Sequence, residues 1–184
     1  MRLSMRRTDF RFENSAIKVI ADRSYQEVKL SGLTVGPFEE GNEYEVYYWI
    51  AKELVKAGLA HFREEDGIDA TKLYKIQWKE RIQVAGQISE LPENFYPKLR
   101  RYLANLKSEL KNEPERLQEY ERAKHLAWDI VSSRMKKIVS LSTGPIQGEH
   151  VLGKMAQEER LIYERLSHII QEWREQILEH HTEE

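Results

Sequence analysis

From Ala16 to Phe62 the apolar positions come in short alternating runs. Ile17, Val19 and Ala21 alternate with Lys18 and Ile20, and Val28 and Leu30 flank Lys29. Period-two alternation over runs this short predicts half-buried strands. Residues 22–27 carry Asp22 and Ser24 and suit a turn, so the two runs read as a hairpin. Leu33 to Val35 predicts a third strand, which Gly36-Pro37 ends because proline has no N–H for the ladder. Over 45–57 the period changes. Val46, Ile50, Leu54 and Ala57 recur at spacings of 4, 4 and 3, with Trp49 beside them, which predicts a helix. Glu43 and Glu45 near its start and Lys52 and Lys56 further along complement the helix dipole. Gly58 suits the position just past its end, and Leu59 to Arg63 predicts a closing strand.

After Glu64-Glu65-Asp66-Gly67 the spacing is helical throughout. Leu73, Ile76 and Ile82, with Trp78 and Val84, predict a helix over 71–85. Leu91-Pro92-Glu93-Asn94 breaks the pattern and starts the next helix. Its stripe is Phe95, Leu99, Tyr102, Leu103, Leu106 and Leu110, with Pro97 tolerated in the first turn. Asn112-Glu113-Pro114 ends it. From Glu115 to Leu141 there is no Gly or Pro. Leu117, Tyr120, Ala127, Val131, Met135 and Ile138 form its seam, widened by Trp128 and Val139. Thr143 to Gly153 reads as a loop. Lys154 to His181 predicts a last helix with Met155, Ile162, Leu166, Ile169, Trp173 and Ile177, broadened by Leu161, Ile170 and Leu178. At 1.5 Å per residue that helix would run about 42 Å, too long to be covered by one small domain. The fold class is α+β: a small β-rich domain with one helix over 15–66, then an all-α domain over 70–184, preceded by a basic arm over 1–14.

Composition narrows the chemistry. The 184 residues contain 29 Lys+Arg and 31 Asp+Glu, a net charge of −2, which excludes strong overall attraction to nucleic acid or anionic membrane. No cysteine is present, so disulfides, Fe–S clusters and thiolate sites are excluded. The longest apolar run, Val46 to Ala51, is six residues, far short of the roughly 20 a membrane span needs. Arg2, Arg6 and Arg7 precede no apolar stretch of the secretory kind. These features predict a soluble, intracellular chain. Through Phe12 the arm sets Arg2, Arg6, Arg7 and Arg11 against Asp9 alone. It reads as a mobile terminus or a contact for nucleic acid or an acidic partner.

Four constellations deserve a chemical reading. Gly148 to Lys154 fits GxxxxGK, the loop whose glycine N–H groups wrap phosphates. Met155 follows where a Ser or Thr would bind Mg²⁺, Glu149 places a negative charge in the loop, and a preceding strand is not expected. A helix–helix loop fits better. Arg174 and His180 share the R-x₅-H spacing of some helical ribonucleases, a short pattern common by chance. The six His residues (61, 125, 150, 168, 180, 181) form no HExxH and read as surface residues. Lys98, Arg100 and Arg101, and Arg134, Lys136 and Lys137, form two basic clusters that phosphate contacts would need, although Glu109, Glu113, Glu119 and Glu121 lie near them.

Residues 30–54 carry a more specific pattern: Leu30-Ser-Gly32, then Gly36-Pro37-Phe38-Glu-Glu-Gly41, then Glu45-Val46, then Trp49-Ile50-Ala51-Lys-Glu-Leu54. This resembles the small β domain of GINS proteins, in the class where that domain comes first, as in Psf-two, Psf-three and their archaeal counterpart. Leu91-Pro92-Glu93-Asn94-Phe95-Tyr96 resembles the helical-domain signature of the same family, as does Arg134 with Lys137-Ile138-Val139. The resemblance covers about residues 16–178.

The resemblance implies a non-catalytic scaffold of DNA replication, without metal or cofactor. It implies a 2:2 heterotetramer with a sister subunit of reversed domain order, bridging the MCM helicase and a RecJ-like partner at the replication fork. Candidate subunit-interface residues are Tyr102, Leu106, Trp128, Met135, Ile162, Tyr163, Leu166, Ile169 and Trp173. Gly36, Pro37, Phe38, Gly41, Trp49 and Ile50 are expected to hold the β domain, with Trp49 anchoring its helix on the sheet. The alternative is a nucleic-acid-binding module using the arginine arm and the helical patches.

Overall fold

The structure is a computed structural model and describes residues 5–30, 32–63, 67–82, 87–111 and 113–179. The chain divides into two compact units, Met1–Gly67 and Ile68–Glu184.

The first unit opens with α1 (Met5–Glu13) and continues through β1 (Ala16–Ala21), β2 (Val28–Leu30), β3 (Leu33–Val35), β4 (Glu43–Tyr47), α2 (Tyr48–Lys56) and β5 (Ala60–Phe62). Over residues 5–13 the basic arm is therefore a helix. It is held because Phe12 is buried, its ring 4.9 Å from that of Tyr48, which stacks on Phe62. Arg2 lies outside the described residues.

Every strand expected from the sequence is present, but the predicted β1–β2 hairpin is not. The three-stranded antiparallel sheet has the order β4-β1-β5, and β2 pairs with β3 as a separate ladder. Val19 in β1 faces Tyr44 on one side and Phe62 on the other. Both edges of β1 are thus occupied. Leu30 pairs with Leu33 across a turn in which Gly32 has φ +85°, so β2 closes on its nearest neighbour instead.

Residues 43–47 form a strand, so the helix expected over 45–57 begins only at Tyr48. The i, i+4 spacing of Val46, Ile50 and Leu54 arose across two elements. Val46 points inward from β4, and Ile50, Ala51 and Leu54 point into the same core from α2. Gly58, at φ +67°, ends α2. Its N–H donates to the Val55 carbonyl, and that of Leu59 to the Leu54 carbonyl, both at 3.0 Å.

The second unit comprises α3 (Ala70–Ile82), α4 (Phe95–Glu109), a 3₁₀ turn (Pro114–Arg116), α5 (Leu117–Thr143), α6 (Glu149–Leu152) and α7 (Gln157–Leu178). Asn94 takes a left-handed conformation (φ 55°) just before α4, where the sequence marks a helix start. α5 is the axis on which α3, α4 and α7 pack. Leu73, Phe95, Leu99, Leu106, Leu126 and Ile130 form one core. Ile88, Ile138, Leu141, Met155 and Tyr163 form a second, toward the C-terminal end of α5. The last helix spans 22 residues, about 33 Å. It starts later than the periodicity predicts because residues 149–152 turn first into α6, and Glu159 then accepts the Ala156 N–H at 2.9 Å. Val84 and Ala85 lie outside the described residues.

Candidate subunit interface

The apolar stripe of α7 runs past the core that could cover it. Tyr163 is buried, and Ile162 and Leu166 pack against the second core. Arg174 donates to the Thr143 carbonyl at 2.7 Å, tying α7 to the end of α5. From Gln171 to Glu179 every residue is exposed, on all faces of the helix. That stretch carries Trp173 at 60% exposure, Ile177 and Leu178. The stripe 162, 166, 169, 173, 177 thus changes from covered to bare along a single helix.

On α5 a second bare stripe runs through Trp128 at 71% exposure, Met135 and Val139. Ser132 and Ser140 lie on the same helix beside these large residues, and small residues between large ones offer holes for a partner's side chains. Large contiguous apolar faces are uncommon on isolated soluble chains and mark interaction sites.

What holds these helices in register is a buried ionic junction. Arg134, in the middle of α5, has no exposed surface. Its guanidinium donates to Glu159 at the start of α7, at 2.7 Å through Nη2 and by a short bond through Nε. It also donates through Nη1 to Glu80 of α3 at 2.7 Å and to the Ser89 carbonyl at 2.9 Å. Lys137 donates to the second oxygen of Glu80 at 2.6 Å. The Ser89 hydroxyl donates to Glu80, and the Tyr96 hydroxyl to Glu159 at 2.6 Å. Two cations thus balance two carboxylates. Burial, followed by the negative charge of Glu159 and the bond to it, pushes the Tyr96 phenol far above its ordinary value and keeps it a donor. Burial would raise the Glu80 pKa, but hydrogen bonds from Lys137 and Ser89 and the charges of Arg134 and Lys137 outweigh it, leaving the carboxyl below its ordinary range.

The nine candidate interface residues fall into three groups. Trp128, Met135, Ile169 and Trp173 are exposed. Tyr102, Ile162 and Leu166 are half-buried against the two cores. Leu106 and Tyr163 are 4% exposed. The last two are corrections: they face into the helical unit's own core, and Tyr163 accepts the Gln147 N–H at 3.0 Å. Ile177, Leu178 and Val139 are missing from that set, although the same periodicity extends to them.

Of the β-domain residues, Phe38 and Ile50 are buried. Phe38 bridges Tyr25 through two 2.8 Å backbone bonds, and its ring meets Tyr44 edge-on. Gly36 and Gly41 have φ of +94° and +82°, and Pro37 follows Gly36. Trp49 is corrected. It is 41% exposed, because Ile50, Ala51 and Leu54 already fill the face of α2 toward the sheet.

The basic cluster at 134–137 is also corrected. Arg134 and Lys137 are internal counterions, and only Lys136 is exposed. The sequence held a signal for this, since Arg134 lies midway between Ile130 and Ile138 at i±4 on the buried stripe. In the other cluster Arg100 is exposed and lies 3.7 Å from Glu158. Gly148 to Lys154 is no phosphate loop: Gly148 follows the helix α5 rather than a strand, and Glu149 pairs with Arg160 at 2.9 Å. Arg174 is spent on the Thr143 carbonyl, and His180 and His181 lie outside the described residues. Among the described residues no three metal-ligating side chains cluster, and no helix is long and apolar enough to cross a membrane.

Comparison with known proteins gives one family. The model for a GINS complex subunit Psf2/Psf3-like N-terminal domain matches residues 71–184. That is the helical unit, including the buried junction and both bare stripes. The Gly36-Pro37-Phe38 segment lies outside the match. No curated protein matches the chain.

Proposed function

This chain belongs to the GINS Psf2/Psf3-like family, and from that premise we propose that it scaffolds the replicative helicase assembly at the fork. At the level of the family it is a non-catalytic subunit of the GINS complex of DNA replication, which forms with other GINS subunits. The finer reading is a 2:2 heterotetramer with a sister subunit of reversed domain order, as in archaea. The tetramer bridges the MCM helicase and a RecJ-like partner in the cytoplasm. The helical unit supplies the tetramer contacts, and the β unit presents a partner surface.

The observation that carries this reading is the bare end of α7. The last turns of α7 have no covered face and gain little from their own unit, whereas helices in proteins owe most of their stability to packing of an apolar face. The exposed Trp128, Met135, Ile169 and Trp173, with Ile177 and Leu178, supply the kind of apolar core that obligate interfaces bury.

Size-exclusion chromatography with light scattering tests it. Mixed with the sister subunit, the chain is expected to elute at the mass of two copies of each. Trp173→Ala and Trp128→Ala are each expected to weaken assembly by about 2 kcal/mol, roughly 30-fold in Kd. A well-folded monomer indifferent to the sister subunit would refute the reading.

A further inference from the structure

One exposed apolar ridge differs in kind from those on α5 and α7. On α3, Tyr74, Trp78 and Ile82 are spaced by four residues and are 60%, 57% and 59% exposed. The inward face of α3 is instead Leu73, Gln77 and Glu80. Of the seam expected from the sequence, Leu73 and Ile76 do pack on the core, whereas Trp78 and Ile82 face outward.

The exposed charges that α3 itself carries beside this ridge have a single sign, while Glu90 and Glu93 face Lys75 and Lys79 across a cleft. At 100° per residue, Lys75 and Lys79 lie along one side of the aromatic row and Arg81 along the other. Arg81 is 70% exposed, and its contact with Asp129 is a long 3.8 Å. The one acid of α3, Glu80, is buried and neutralised by Arg134 and Lys137. Outward, α3 therefore shows rings and cations but no carboxylate of its own. By contrast α7 mixes Glu164, Arg165, Glu172, Arg174 and Glu175 beside its stripe. Protein–protein interface cores are depleted of lysine. Surfaces for single strands combine cations that track phosphates with aromatic rings on which bases stack.

We infer that the exposed face of α3 binds single-stranded nucleic acid, with Tyr74 and Trp78 stacking successive bases and Lys75, Lys79 and Arg81 meeting the phosphates. One turn separates the two rings by about 6 Å along the axis, within reach of neighbouring bases on an extended strand. The cleft of about 420 Å³ beside the lysines is not where the strand lies. Glu90 and Glu93 line it and repel phosphate, which confines the strand to the ridge. Duplex DNA keeps its bases stacked internally and meets only the cations.

Fluorescence anisotropy of a labelled oligo-dT with the full chain tests the inference. Three phosphate contacts give a log–log salt slope of about −2, or about a 20-fold loss of affinity between 50 and 200 mM salt. Trp78→Ala is expected to weaken binding at least about fivefold, Trp78→Phe to retain most of it, and a Lys75→Gln/Lys79→Gln variant to flatten the slope. Unchanged circular dichroism confirms that each variant folds. The inference is overturned if oligo-dT does not bind, if Trp78→Ala binds like the parent, or if duplex of equal length binds as tightly. It is also overturned if a polyglutamate peptide displaces oligo-dT at equal charge, since the ridge would then be an acidic-peptide site.

Discussion

Replacing Arg134 with methionine isolates the energetics of the buried junction. The change keeps a long apolar stem and removes the cation between Glu80 and Glu159. Lys137 remains as the only cation among two buried carboxylates, and the Glu159 oxygens lose both guanidinium bonds. Removing one partner of a buried pair costs about 3–5 kcal/mol, because the stranded charge cannot regain its water. For a unit of this size 1 kcal/mol corresponds to roughly 4 °C, so the midpoint should fall by about 12–20 °C. Thermal and urea unfolding followed by circular dichroism would measure it. The double variant Arg134→Met/Glu159→Gln restores one carboxylate to one cation, so it should lose less than Arg134→Met alone, a non-additivity typical of residues in one network. A loss under about 1 kcal/mol for Arg134→Met, or no recovery in the double variant, would refute the reasoning.

The depressed Glu80 carboxyl links this junction to acid. A group whose pKa falls on folding stabilises above its unfolded value and loses that contribution as pH drops through the folded one. The helical unit should therefore lose stability below the ordinary value of 4.5, and Glu80→Gln should flatten that limb; a parent profile already flat in acid contradicts it. In the β unit, a Cβ on Gly36 would sit 2.9 Å from a Phe38 ring carbon at φ +94°. Gly36→Ala should cost about 1–3 kcal/mol, seen as faster amide exchange over 16–62 with 70–178 unaffected. On the unassembled chain, Trp128→Ala and Trp173→Ala should change stability by no more than about 0.5 kcal/mol, which thermal unfolding would check.

Periodicity located the elements but not their partners. Strands β1, β2 and β3 were legible as alternation, yet pairing depends on which edges of β1 remain open after β4 and β5 close on it, and no local run reports that. The helical period at Val46, Ile50 and Leu54 was genuine as spacing and misleading as structure, because two elements feed one core. In α3 Tyr74, Trp78 and Ile82 face out, and Gln77 and Glu80 face in beside Leu73 and Ile76, since the core there is partly ionic. A pattern that equates apolar with buried misplaces half of such a helix. Arg134 was misread for the same reason: basic residues are exposed by default, and its counterions lie far away in the sequence. The bare stripes of α5 and α7, by contrast, were legible as apolar surface in excess of what one small domain can cover.

The junction also couples the helices of the helical unit to one another. Arg134 meets Glu80 across 54 residues of chain and Glu159 across 25, and Tyr96 meets Glu159 across 63. Any subset of helices that lacks α3 or α7 buries a guanidinium or a carboxylate without its counterpart. Partly built forms are therefore penalised by several kcal/mol relative to the complete one. The polar centre contributes cooperativity where an apolar core would tolerate loose intermediates, and the bare faces of α5 and α7 reach a partner only as parts of a finished unit.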